Sequence, residues 1–351
     1  MFNLKSLFRG LILTILLVSN QISFGQSDAN LIVKDSLRLM FYNVENLFDP
    51  FDDSLKNDDE FTEAGERHWN WFKFQDKLAH IYKTILAAGN PFPPAIIGLC
   101  EIENRFVLNQ LVYETAMSKF DYRIVHEESP DKRGIDVALL FNPKKFELIS
   151  HRAIQVNFPF APESFTRDIL YVKGRVFDED TIHIFVNHWP SRWGGQLATD
   201  PKRQFVAELL KSYTDSLFLV ETAPNIIIMG DFNDEPFDKS IQSHLQAFGQ
   251  QDSSNLVNLM YPYIKHEEVG THKYQSDWGF LDQFIVSKYL LLPTHPLRIT
   301  NNKAHIFNAR FLLEKDEKYL GLKPFRTFIG FKYHGGFSDH LPILLDLHKL
   351  L

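Results

Sequence analysis

Seven short apolar runs punctuate this chain, and most of them run straight into a polar side chain that a buried strand does not ordinarily need. The runs are Leu37–Tyr42, Ala95–Cys100, Val137–Phe141, Ile182–Val186, Asn225–Met229, Phe280–Val286 and Leu341–Leu347. Their length and aliphatic content fit strands buried on both faces. Between them, Lys73–Ala88 and Arg203–Leu219 carry apolar residues at helical spacing. Strands interleaved with helices predict an α/β fold. No repeat at solenoid period and no Ser- or Gly-rich linker divides the chain, so one compact domain is expected over 37–351, after a short linker at 26–36.

The first residues read as a targeting segment. Lys5 and Arg9 precede the apolar run Leu11–Val18, and Ser23 and Gly25 follow. A positive start, a short apolar stretch and a small-residue zone predict a signal peptide over 1–25. The run is too short for a membrane span, which takes about 20 apolar residues. The expectation is export to the periplasm or exterior, with no stable membrane insertion after cleavage. The alternative is an uncleaved anchor or a buried first helix. Cleavage would remove two basic residues and no acid from a chain with 37 Lys and Arg against 44 Asp and Glu, already at −7. Overall charge therefore does not steer it toward phosphate polymers; a nucleic acid would need a local basic patch or a bound cation. The single Cys100 excludes an intramolecular disulfide framework and a Cys-based zinc site.

The chemistry lies where the runs end. The first leads into Asn43-Val44-Glu45-Asn46, the second into Glu101-Ile102-Glu103-Asn104, the fourth into Asn187-His188-Trp189, and the fifth into Gly230-Asp231-Phe232-Asn233-Asp234. Asp282 lies within the sixth run, and Ser338-Asp339-His340 opens the last. Open α/β sheets bind ligands at strand ends, where rigid backbone lets side chains converge. Hard oxygen donors with His and without Cys suit Mg²⁺ or Mn²⁺ better than zinc. Each residue also has an ordinary reading: Glu45 as a solvated loop acid, Asp231 as a turn cap, His188 as a core histidine, Asp339-His340 as a turn pair. Glu101 and Asp282 resist such readings, because a carboxylate beside a buried strand needs a partner and Asp is depleted in strands.

Taken together and in this order, these segments resemble the endonuclease/exonuclease/phosphatase superfamily over roughly residues 37–349, with Gly-Asp-Phe-Asn and Ser-Asp-His the most specific parts. The resemblance implies a four-layer α/β sandwich, two mixed β-sheets face to face with helices outside, and a monomer. It implies Glu101 as the principal metal ligand, with Glu45 and Asp339 as further metal carboxylates and Asn43 contacting phosphate or metal. Asp231 and Asn233 match the pair that orients water and phosphate, His340 the histidine on the scissile phosphate, and Asp282 its orienting partner. His188 matches a phosphate or leaving-group histidine, and the resemblance leaves His188 and His340 competing as general acid.

Other positions keep two readings. Arg133, ahead of Val137–Phe141, suits a substrate phosphate or a surface salt bridge. Ser191 and Arg192 suit the mouth of the same site. Arg203 suits packing or an ion pair. Trp189, Trp193, Trp278 and Phe337 suit base stacking or the core. Residues 49–66 are acidic without an EF-hand pattern and read as a solvated loop, and residues 301–336 read as a rim loop. The chain reads first as a secreted nuclease acting on DNA or RNA. The alternatives are a small-molecule or lipid phosphoesterase and, against the intact motifs, a binding protein that has kept the fold.

Overall fold

The structure is a computed structural model that describes residues 33–89, 91–249, 254–264 and 269–350; the expected signal peptide lies outside the described residues, as do residues 26–32 of the expected linker. The first sheet contains β1 (Val33–Leu47), β2 (Ile96–Ile102), β3 (Arg123–His126) and β4 (Asp136–Phe141). The second contains β5 (Phe146–Ile154), β6 (Ile169–Val176), β7 (Asp180–His188), β8 (Asn225–Asp231), β9 (Ala247–Phe248), β10 (Leu256–Asn258) and β11 (Asp282–Ser287). Two late strands, β12 (Leu297–Ile306) and β13 (Ile343–Leu350), return to the first sheet, giving the orders β12-β13-β1-β2-β4-β3 and β5-β6-β7-β8-β11-β10-β9. Each sheet has a parallel pair near its centre, β1 with β2 and β7 with β8, flanked by antiparallel neighbours.

Strand alternation sorts the side chains into layers. Leu37, Leu39 and Phe41 point into one core with Ile182, Ile184, Val186, Ile227, Met229, Phe284 and Val286 from the other sheet. The intervening Met40, Tyr42 and Val44 face outward and pack with Phe74, Leu78, Ile81 and Ile85. Those four lie on α1 (Trp71–Ala87), which Asn70 caps by accepting from Lys73 N at 3.1 Å. The same cluster takes in Val107, Leu108 and Leu111 of α2 (Arg105–Tyr113). On the far side Phe185, Ile226 and Ile228 pack with Val206, Ala207 and Leu210 of α3 (Gln196–Val220). The described residues form the expected four-layer sandwich: helices, sheet, sheet, helix.

The differences from the sequence reading have physical causes. β5 and β6 escaped it because β5 is largely exposed and β6 half-buried, so neither forms an apolar run. β1 starts at Val33, inside the segment expected as a linker. α3 starts at Gln196 rather than Arg203, and Pro201 lies inside it, past the first turn, where the helix forgoes the bond to the Leu197 carbonyl. The segment 301–336 is not one rim loop: it finishes β12 and then forms two short hairpins, 313–315 with 322–324 and 328–329 with 332–333. Asp282 opens β11 instead of lying inside a strand. Residues 49–66 are irregular as expected, apart from one turn at Asp59–Phe61 that buries Phe61. No helix among the described residues is long and apolar enough to cross a membrane.

Gly230 shows how tightly the site end is built. A Cβ there would lie 2.4 Å from the Asn187 carbonyl oxygen on the neighbouring strand. Gly230→Ala is therefore expected to cost about 1–3 kcal/mol, measured as a shift of the urea midpoint; an unchanged midpoint would show that β7 and β8 have slack there.

Candidate active site

The inward positions of the sandwich turn polar at one end. Asn43 follows Leu39 and Phe41 at the same parity, His188 follows Ile184 and Val186, and Asp231 follows Ile227 and Met229. Asp282 precedes Phe284 and Val286 in the same way. In register, Asp231 sits opposite both His188 and Asp282, so three of these side chains lie abreast on neighbouring strands. Asn43, on the other sheet, donates from Nδ2 to Asp231 Oδ2 at 3.0 Å, which joins the two sheets at this end.

Glu101 arrives by a different route. The ladders on both sides of β2 break around it, and its φ is +61°. Glu45 (+52°), Asn46 (+55°) and Asn233 (+49°) share this left-handed backbone, which costs a non-glycine residue roughly 1 kcal/mol or more. Four such residues at one end mark a built feature. The bulge turns Glu101 out of strand alternation, where Asn46 N donates to Oε2 at 2.8 Å.

The Ser-Asp-His segment closes the site from above β13. Ser338 Oγ donates to the Asn43 carbonyl at 2.7 Å and accepts from His340 N at 3.0 Å. His340 Nδ1 lies 2.7 Å from Asp282 Oδ2, and its Nε2 lies 3.8 Å from Asp231 Oδ2. Burial opposes charge on this ring, but Asp282 and Asp231 overcome it and hold the imidazolium well above the usual histidine range. His188 Nε2 also faces Asp231, at 3.7 Å, and Glu101, at 3.9 Å. Burial, with Arg167, Arg133 and His340, pushes His188 well below its usual value, so it is the neutral histidine of the two. Burial pushes Asp231 up to about 6 against the pull of His340. Asn233 N donates to Asp231 Oδ1 at 2.9 Å, and Asn233 Nδ2 to the Trp189 carbonyl at 3.0 Å.

Glu45 and Asp339 lie beside this group, engaged by a residue that the sequence reading missed. Arg326 Nε and Nη2 each lie 3.0 Å from Glu45 Oε1, and Nη2 donates to Asp339 Oδ2 at 3.0 Å. Burial opposes ionisation of Asp339, but Arg326, His340 and His272 outweigh it and hold the carboxyl at about 2. Burial and Asp339 push Glu45 up, against Lys77 and Arg326.

Three further site residues were also missed. His272 bridges to His340, ring centroids 4.7 Å apart, and burial with His340 pushes it down to about 4. Lys77 Nζ is buried under the hairpins, donating to Thr327 Oγ1 and to the Phe337 carbonyl. Burial brings it down to about 8 against the pull of Glu45, Asp339 and Glu101. Arg167 donates to the carbonyls of His188 and Trp189 and to Asp131 Oδ2. Lys77 alone left a signal, a lysine on the apolar stripe Phe74, Leu78, Ile81, Ile85 of α1.

The remaining candidates separate cleanly. Arg133 is half-exposed and 3.9 Å from Asp131, and its charge reaches His188. Arg192 is taken up by the Asn233 carbonyl and Asp238. Arg203 is buried against Asp200 and Asp234, an ion-pair role. Trp189 and Phe337 are core residues, Trp278 is half-buried, and Trp193 is 90% exposed.

The donor set fits a divalent ion. Glu101 Oε1 receives only a long 3.4 Å contact from Asn43 Nδ2, and the one basic side chain within ion-pair distance among the described residues, His188, is held neutral. A hard oxygen ligand left in this state, beside further carboxylates and two histidines, suits a hard divalent ion.

A family model described as the Endonuclease/Exonuclease/phosphatase family matches residues 38–349. No curated protein matches the chain. Among solved structures, the human Nocturnin catalytic domain with bound sulfate is similar at TM-score 0.54 and 18% identity, covering 90% of this chain and 95% of that one. A TDP2 from D. rerio complexed with single-strand DNA product is similar at 0.54 and 14%, covering 89% and 99%. So is a mannosyl-6-phosphatase from Bacteroides thetaiotaomicron, at 0.54 and 14%, covering 89% and 99%.

Arg167 tests the supporting frame. Arg167→Ala leaves buried Asp131 with only the more distant, half-exposed Arg133 at 3.9 Å and frees the backbone that carries His188. A loss of about 3–5 kcal/mol in denaturation is expected; a loss below about 1 kcal/mol, the range of an exposed pair, would contradict that role.

Proposed function

The chain belongs to the endonuclease/exonuclease/phosphatase family, hydrolases of phosphoester bonds that use a divalent metal, and from that premise we propose that it is an exported, monomeric phosphodiesterase that uses Mg²⁺ or Mn²⁺ to cleave DNA or RNA. The observation that carries the reading is the meeting of Glu101, Asp231 and His340, from three separate stretches of chain, at one end of the sandwich.

Glu101 would hold the ion, with Glu45, Asp339 and Asn43 beside it. When bound, the ion polarises the phosphoryl oxygens and offsets charge on the leaving oxygen. Asp231 accepts the proton of the attacking water; raised to about 6, it is a stronger base than a free carboxylate and still ionised at neutral pH. Asn233 orients water and phosphate. His340, kept charged and oriented by Asp282, takes the scissile phosphate and is the better proton donor of the two histidines. His188, neutral, holds a phosphoryl oxygen, and half-exposed Arg133 supports the substrate's flanking charge.

Substrate choice rests on the rim. Trp193 stands almost fully exposed before Gly194 and Gly195, whose φ values of +88° and +110° give the loop a shape few other residues adopt. A free tryptophan next in sequence to Arg192, which donates to the Asn233 carbonyl, suits stacking on an unpaired base. The second reading, a small phosphoester, draws on the net charge of −7 and on the mannosyl-6-phosphatase that shares the fold.

The test is turnover of plasmid DNA, single-stranded DNA, RNA, sphingomyelin and sugar phosphates with Mg²⁺, Mn²⁺ or chelator. Nuclease activity lost in chelator is expected, with Glu101→Gln, Asp231→Asn and His340→Ala each lowering kcat by roughly 10²–10⁴-fold at unchanged thermal stability. Turnover confined to sugar phosphates or lipid would replace the nuclease reading. Trp193→Ala is expected to raise KM for single-stranded DNA by about five-fold or more while kcat holds; an unchanged KM would remove the stacking role.

A further inference from the structure

Glu45 and Asp339 present two carboxylates to one another at the mouth of the site, and Glu45 is 4% exposed. Such a pair needs a cation between its members. The structure supplies one from the chain itself. Arg326 reaches Glu45 Oε1 through Nε and Asp339 Oδ2 through Nη2, both at 3.0 Å, and the next backbone N–H, that of Thr327, donates to Glu45 Oε2 at 2.7 Å. Both oxygens of Glu45 are thus held by consecutive residues.

The support behind Arg326 is equally definite. Lys77 Nζ holds Thr327 Oγ1, and the Thr327 carbonyl accepts from His334 N at 2.8 Å and Gly335 N at 3.2 Å. Gly336 packs so closely that a Cβ there would lie 2.3 Å from the carbonyl oxygens of Arg326 and Phe325. The Arg326 side chain remains 43% exposed, and its Nη1 donates to no protein atom among the described residues. Glu101 is the opposite case: no arginine or lysine lies within ion-pair distance of its carboxylate among the described residues.

We propose that Arg326 occupies the place of a second divalent ion between Glu45 and Asp339, so that this chain holds a single metal ion, at Glu101, and that Nη1 of the same guanidinium serves as a fixed phosphate contact. This rests on the phosphoesterase reading above and deepens it. A tethered guanidinium offsets one of the two negative charges, with the buried Lys77 ammonium acting on both acids from behind, and it is not an ion that can dissociate; its planar fork spans both acids while keeping one nitrogen for a phosphoryl oxygen. A lysine could not span them in that way.

The test is to count Mn²⁺ by titration calorimetry on the full folded chain and to measure inorganic phosphate binding in chelator. The wild-type chain is expected to bind one Mn²⁺, and Glu101→Gln to abolish that binding. Arg326→Ala is expected to bind two Mn²⁺ and to lose about ten-fold in phosphate affinity. Its melting temperature should fall in chelator and recover with added Mn²⁺, since the ion then supplies the missing charge. Arg326→Lys guards against a folding failure: it should keep near-normal melting yet lose most of the phosphate affinity. Two ions on the wild-type chain, one of them dependent on Glu101, would overturn the Arg326 proposal and leave the metal-dependent reading standing. A single ion on a folded Arg326→Ala chain, or unchanged phosphate affinity in both variants, would overturn it equally. No Mn²⁺ on the wild-type chain would overturn both.

Discussion

The Asn43–Asp231 hydrogen bond joins the two sheets at the point where their shared core runs out of apolar side chains. Face-to-face sheets bury every second residue, so the interior ends wherever those positions become polar. At this end they become Asn43, His188, Asp231 and Asp282 together; Asn43 pairs with Asp231 across the gap that Phe41, Val186 and Met229 close one step further in, and His340 pairs with Asp282, while His188 Nδ1 and Asp282 Oδ1 have no hydrogen-bond partner among the described residues. Rigid strands thereby hold groups of opposite character within a few ångströms, in a setting dry enough to shift their proton affinities.

That setting divides the labour between chemically similar residues. His188 and His340 both face Asp231, at 3.7 and 3.8 Å, yet burial among cations leaves the first neutral while Asp282 keeps the second charged. Asp231, buried, is raised to about 6, and Asp339, half-buried, is held at about 2. Arg326 beside Asp339 accounts for much of the contrast, because Asp231 has no comparable guanidinium. The left-handed backbone at Glu45, Glu101 and Asn233 is the strain that this arrangement requires.

Much of this was legible in the chain alone, and for a physical reason. Residues that continue an inward-facing apolar series carry their address in sequence parity, which is why Asn43, His188 and Asp231 were found from the ends of apolar runs. Glu101 was found because a carboxylate directly after Ile-Ile-Gly-Leu-Cys has no ordinary place in a buried strand. Arg326 and His272 lie in or beside short hairpins with no periodicity, so nothing local announces that they meet Asp339 and His340. Arg167 precedes a strand whose apolar residues alternate with Lys and Arg, and it looks like any surface arginine until Asp131 is placed opposite it. β5 and β6 were missed for the same cause: strands that face water on one side leave no continuous apolar run.

The account stands or falls on where the ion goes. Crystals grown with Mn²⁺ and a slowly hydrolysed phosphate diester, measured for anomalous scattering, would locate it directly. The expected result is one peak in contact with the Glu101 carboxylate, with His340 on the phosphate and the guanidinium of Arg326 still between Glu45 and Asp339. A peak remote from Glu101, or a phosphate bound away from Asp231 and His340, would contradict it.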